Sequence, residues 1–196
     1  LKREGSPIEH WIVEILRNNK IEKRLARKVF LAAGATESAA ILRRSALSRN
    51  AGKFFEFHLN FRFVAEYPDK IDPHLGTMMT QQVQEFMQSG ILLMPSNSLP
   101  SHLCSALAHL KDDYLRAFMS QNGLNLGLFV LMTQPFITKG ILGEFLGQTY
   151  CRWQWESSSF QQIIQGTDLM CKLLFSSGAS RIVLPFNNRT NIVESQ

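Results

Sequence analysis

The side chains with chemistry to offer are His58, His102 and His109, the adjacent carboxylates Asp112 and Asp113, three serines and three cysteines. His102 and His109 could share one face of a helix, but a zinc site needs a third ligand at matching spacing, which the sequence does not supply. Asp112 and Asp113 are neighbours, so on a helix they point apart and make no general acid–base pair. Ser45, Ser89 and Ser96 lack the Gly-x-Ser-x-Gly setting of a hydrolase nucleophile. Cys104, Cys151 and Cys171 are odd in number, widely spaced and without a Cys-x-x-Cys pattern. The expectation is buried free thiols in a reducing compartment, the cytoplasm. Asn188-Arg189-Thr190 fits a glycosylation acceptor, with no secretory signal beside it. His58 has two readings: it lines a cofactor or substrate region, or it is a hydrogen-bonded structural histidine.

His58 belongs to a segment with clear period-two alternation. From Lys53 to Tyr67 the residues Phe55, Phe57, Leu59, Phe61 and Phe63 fall on one face, and Phe54, Glu56, His58, Asn60 and Arg62 on the other, which predicts one long strand. Upstream, Ile8 to Leu16 and Ile21 to Leu31 read as strands joined by a turn at Asn18-Asn19-Lys20, because asparagine tolerates positive φ. The second ends in Val29-Phe30-Leu31-Ala32-Ala33, an apolar run suited to a strand buried on both faces. The chain then turns at Gly34, and Glu37 to Leu47 has a helical pattern. Downstream, strands are predicted at Thr80 to Phe86, Ile91 to Met94 and Leu126 to Met132, with a helix from Leu103 to Met119. A hairpin, Ile141 to Phe145 with Gln148 to Trp155, turns at Leu146-Gly147. Ser157, Ser158 and Ser159 offer caps for a helix that ends at Ser177-Gly178, with glycine as the C′ residue, and a short strand follows from Arg181 to Leu184.

The 196 residues, 45 % hydrophobic and 19 % charged, have a globular balance and room for a real core. The stretch from Leu124 to Phe136 is too short and too polar to span a bilayer, so no membrane span is expected. The chain does not begin with Met, and it could be a piece of something longer. The net charge of +5 owes much to two clusters. One is Arg17, Lys20, Lys23, Arg24, Arg27 and Lys28; the other is Arg43, Arg44, Arg49 and Lys53. A basic patch can meet nucleic acid or an anionic membrane. Glu22 interrupts the first cluster and no aromatics interleave with it, so a solvated face is preferred and nucleic acid is not expected as a partner.

The run from Val29 to Ser45 resembles the second signature of glucose–methanol–choline oxidoreductases. In that family a buried strand ends in Ala-Gly-Ala or similar, and a serine, paired aliphatics and a second serine open the helix. Gly34, Ala35, Ser38, Ile41, Leu42 and Ser45 stand at those offsets, while Ala39 replaces the usual proline or serine and Ala46 the usual glycine. The segment Gly52 to His58, the hairpin and helix that run from about Gly147 to Ala179, and Leu75-Gly76 through Pro100 are similar to later parts of the same family. The resemblance spans about Ile8 to Pro185.

The resemblance implies an α+β fold, a mostly antiparallel sheet flanked by helices, with an edge portion of an FAD-binding domain. Residues 1–50 would belong to that domain, 51–186 to a substrate-binding (cap) domain, and 187–196 to a polar tail. It implies FAD near Ala33, Gly34 and Ala35, although the same small residues would also serve tight strand-to-helix packing. Of the Phe- and Met-rich strands, Phe57, His58, Met79, Phe86 and Met94 would line a pocket for a bulky apolar alcohol. The family's Gly-x-Gly-x-x-Gly fingerprint and its catalytic histidine are both absent from the sequence. The implied partners are therefore an alcohol substrate and the remaining FAD-domain segments, and this chain alone is not a competent enzyme. The alternative is a non-catalytic module that binds an apolar ligand or a protein, with Val29 to Ala33 left as an exposed edge or patch.

Overall fold

The computed structural model describes every residue except 1, 5–9, 78–79, 111–114, 117–118, 121–123, 134–135, 146–147, 154–156, 187–190 and 196. The chain is α+β with antiparallel sheets, and it divides into two compact units, 1–56 with 137–155 and 57–136 with 156–196.

In the first unit, β1 (Lys2–Glu4), β2 (His10–Arg17) and β3 (Lys20–Ala26) form a three-stranded antiparallel meander. Asn18 and Asn19 connect β2 to β3 with φ of 49° and 58°. Positive φ at both central residues is what a two-residue turn of matching twist demands, and asparagine meets it at low cost. After β3 the chain departs from the expected course. Residues 28–32 carry no regular structure, and Phe30 is 88 % exposed. An apolar run is a strand only where neighbouring strands take its backbone hydrogen bonds, and none of the described strands pairs with it. Helix α1 (Gly34–Arg44) follows, with Ala40 buried. The Arg43 guanidinium donates to the Leu142 carbonyl of the second sheet of this unit. That sheet is β4 (Phe54–Phe57), β8 (Phe136–Phe145) and β9 (Gln148–Trp153), in the order β4-β8-β9. The predicted hairpin is β8 and β9, antiparallel from Gly140↔Trp153 to Phe145↔Gln148; its turn at Leu146-Gly147 lies outside the described residues.

The second unit is built on five antiparallel strands in the order β11-β10-β5-β7-β6. These are β5 (Asn60–Glu66), β6 (Ile91–Ser96), β7 (Leu126–Thr133), β10 (Arg181–Val183) and β11 (Ile192–Glu194). Alternation sorts the side chains. Phe63, Ala65, Ile91, Leu93, Leu131 and Ile182 pack on one face with Met170 and Leu174 of α3 (Ser157–Ser176). Val64, Leu126, Leu128 and Val183 pack on the other with Leu103 and Leu107 of α2 (Pro100–Leu107). Each fully buried aliphatic or phenyl side chain contributes about 1.5–3 kcal/mol, so the two layers together hold the sheet.

Several boundaries differ from the sequence expectation. The long strand predicted from Lys53 to Tyr67 is two strands, β4 and β5, separated at His58-Leu59. Thr80 to Phe86 makes only a single bridge, Val83 to Leu93, before a 3-10 turn at Met87–Ser89. The helix predicted from Leu103 to Met119 is interrupted: α2 ends at Leu107, residues 108–110 turn and bend, and Leu115, Arg116 and Met119 are helical again. The polar tail supplies an unforeseen strand, β11, on the edge of β10. The predicted C′ glycine is present: Gly178 has φ 96°, and the Ala179 N–H returns to the Leu174 carbonyl at 3.1 Å.

Candidate functional site

His58 sits in the break between β4 and β5, which frees its ring from sheet alternation. Its Nδ1 lies 3.3 Å from the carbonyl oxygen of Thr133, and the Thr133 N–H donates to the Leu59 carbonyl at 3.0 Å. Two strand ends are thus tied together at the histidine. The ring lines a cavity of 230 Å³ with Met87, Gly90, Ile91, Leu92, Met132 and Thr133. Leu92 and Met132 are directly paired across β6 and β7, so they form one apolar wall. The Thr133 hydroxyl is buried and has no hydrogen-bond partner among the described residues, although Thr133 is only 1 % exposed. With Nδ1 at the carbonyl as an N–H donor, Nε2 is the acceptor, a geometry that can take a proton or a hydrogen bond from a hydroxyl. One ring thereby satisfies both readings of His58, a structural hydrogen bond and a cavity wall.

The other expected pocket residues are not gathered here. Met94 is 8 % exposed and borders a different, larger cavity on the far reach of β6. Phe86 is half-buried and packs against the core beneath α3. Met79 lies outside the described residues, and of Phe57 only the backbone, closing β4, is described. Conversely, Met87 and Met132 were among the Phe and Met residues noted on or beside the strands but not among the expected pocket residues, and Leu92 and Thr133 were not singled out from sequence. The signal was present in the apolar strands themselves, but their pairing register decides which of these residues meet.

Ala33, Gly34 and Ala35 form the exposed head of α1 in the first unit. Gly34 has φ 78°, and a Cβ added there would meet nothing within 4 Å. Ala33 is the N-cap and supplies no side-chain hydrogen bond, so the first amides of α1 have no side-chain acceptor from the cap. Such a helix start, with small exposed residues, lets a phosphate-bearing group approach the backbone. At the other end Ala46 follows the C-cap with φ 54°, the left-handed conformation that glycine adopts most readily.

The remaining candidates have structural roles. His102 Nδ1 accepts from the Leu99 N–H at 3.4 Å, while His109 lies beyond the end of α2 with Nε2 3.1 Å from the Leu184 carbonyl. No group of three or more potential metal ligands occurs among the described residues. Asp112 and Asp113 lie outside them. All three cysteines are free, but none is fully buried as expected: Cys104 is exposed, and Cys151 and Cys171 are half-buried. Burial and the nearby Glu37 carboxylate push the Cys151 thiol up, and burial with Asp168 does the same to Cys171. Neither is therefore an activated nucleophile. The first basic cluster is distributed along the β2–β3 hairpin, where Lys23 faces Glu14 at 3.5 Å and Arg24 faces Glu22 at 3.0 Å. No described helix is long and apolar enough to cross a membrane.

No protein-family model matches the chain, and a search of curated proteins finds no match.

Proposed function

We propose that this chain is the substrate-binding part of an FAD-dependent alcohol oxidoreductase that resembles the glucose–methanol–choline family. The observation that carries the reading is the head of α1. Gly34 turns into the helix with φ 78° and open space around it, and Ser38, Ile41, Leu42 and Ser45 follow at the family's offsets. Ala46 stands where that pattern has glycine, and its φ of 54° is a glycine-like conformation, which further supports the resemblance.

In this reading Ala33, Gly34 and Ala35 hold FAD by backbone approach and helix-start amides, since no side chain intervenes. FAD supplies the hydride acceptor for oxidation of a CH–OH group. Within the second unit, Met87, Leu92 and Met132 exclude water from the apolar part of the alcohol, and His58 Nε2 orients its hydroxyl. The general base is a histidine outside this chain.

A specific observation favours a second reading, a non-catalytic module with a protein partner. Phe30 is almost fully exposed, and Leu16, Ile21 and Leu25 of the β2–β3 hairpin are also exposed. Apolar surface of this kind marks association.

The test is the visible absorbance spectrum of the protein that carries this sequence, purified from its own cells, followed by dye-linked oxidation of primary aliphatic alcohols. Bound flavin that an alcohol bleaches supports the oxidoreductase. A colourless protein that takes up no added FAD sinks it, and concentration-dependent self- or hetero-association would then favour the second reading.

A further inference from the structure

A second cavity, larger than the one at His58 and separate from it, lies in the second unit. It is a half-open cavity of 710 Å³ between α3 and the β6–β7 end of the sheet. This volume is in the range of sites for small organic ligands. Its walls include Val83, Leu93, Phe129, Met170, Leu173 and Leu174, of which Leu93, Met170 and Leu174 belong to the buried core. Two hydroxyls meet at its side. Tyr67, just past β5, and Ser177, just past α3, are joined by a 2.9 Å hydrogen bond, which Tyr67 donates because the Ser177 hydroxyl donates to the Leu174 carbonyl at 2.7 Å. Thr80, Gln81 and Gln82 add neutral, exposed polar groups. Among the described residues no charged side chain lines the cavity.

We infer that this cavity is a binding site for a neutral, mainly aliphatic molecule that carries one hydroxyl. The apolar walls take the hydrocarbon. With both of its protons spent, on Ser177 and on the Leu174 carbonyl, the Tyr67–Ser177 pair offers free lone pairs, so it accepts a hydrogen bond from an inserted hydroxyl. A carboxylate of the same length is rejected: it would be desolvated with no counter-charge beside it. The inference does not rest on FAD or on the oxidoreductase reading, since every lining residue lies in the second unit and none is at the head of α1.

The experiment is calorimetric titration of the protein with decanol and, separately, with decanoate. Decanol is expected to bind about tenfold or more tightly than decanoate, from the cost of burying an unpaired charge. Leu173→Trp, at a residue 40 % exposed and therefore tolerant of size, fills the cavity and lowers decanol affinity at least tenfold. Val83→Phe, from the opposite wall, does the same should the tryptophan variant misfold. Tyr67→Phe reduces decanol affinity about fivefold, the loss of one neutral hydrogen bond. The loss caused by Leu173→Trp persists in a His58→Ala background, because the two residues line separate cavities. Equal binding of alcohol and carboxylate, no binding of decanol, or decanol binding lost in His58→Ala but kept in Leu173→Trp would each overturn the inference. The last outcome would transfer the ligand to the His58 cavity and leave the proposed function standing.

Discussion

Glu66 and Arg181 stand directly opposite each other across β5 and β10, with Arg181 Nε 2.5 Å from Glu66 Oε2. The same glutamate is 3.4 Å from Asn125 Nδ2, and its carbonyl accepts from both the N–H and the hydroxyl of Ser180. One residue thereby holds the short strand β10 in register. Both side chains are partly buried, so the pair is screened less than a surface ion pair. Glu66→Ala should cost about 1–3 kcal/mol, the range for leaving charged partners unsatisfied. Urea unfolding of Glu66→Ala, Arg181→Ala and the double variant should show non-additivity. Simple addition of the two losses would mean the side chains act independently.

Helix α3 lies on β7 through Gly166. A Cβ there would come 2.6 and 2.9 Å from the two Cδ atoms of Leu131, which is fully buried. Alanine in place of glycine gains about 1 kcal/mol in helix propensity, whereas overpacking a closed core costs about 1–3 kcal/mol. Leu131 has nowhere to move, so Gly166→Ala should be destabilising on balance. In a Leu131→Val background, where those Cδ atoms are gone, the same change should become neutral or stabilising. Thermal denaturation of the four proteins decides it, and an unchanged penalty in the valine background would show that Leu131 is not its source.

Ala46 offers the reverse case. A left-handed alanine costs about 1–2 kcal/mol, and glycine loses roughly 0.5–1 kcal/mol more chain entropy on folding. The difference favours glycine, so Ala46→Gly should raise the urea midpoint by an amount worth up to about 1 kcal/mol without altering the slope. A lower midpoint would mean that Ala46 carries no strain.

The cysteines should separate by rate. Cys104 is exposed, whereas Cys171 packs against the core and its thiol is raised by burial and by Asp168. Iodoacetamide should label Cys104 first and Cys171 last, as read by peptide mass mapping. A thiol raised in the folded state keeps its proton there after the unfolded chain has lost it. Stability therefore declines as pH rises above the ordinary thiol value, and it should decline less in Cys171→Ala. Equal slopes would place the alkaline loss elsewhere.

Local chemistry by itself determined the elements whose signals are self-contained. Asn18-Asn19 specified the β2–β3 turn because asparagine tolerates positive φ at both positions. The β8–β9 pairing and α3 with its glycine stop were legible for the same reason: alternation, hydrophobic spacing and a C′ glycine act within a few residues. The small residues at the head of α1 were also visible, together with the resemblance they carry. Tertiary structure alone decided the elements that need a partner. Val29 to Ala33 has the composition of a buried strand but not the neighbours that would bond its backbone. Lys53 to Tyr67 alternates without a break, yet the Thr133–Leu59 hydrogen bond and the separate sheets of β4 and β5 divide it at His58. The polar tail gave no sign of β11, since an edge strand is created by the open edge of β10. Sites follow the same rule. His58 could be named from its position, but its companions Met87, Leu92 and Met132 depend on register, and register is a relation between segments distant in sequence.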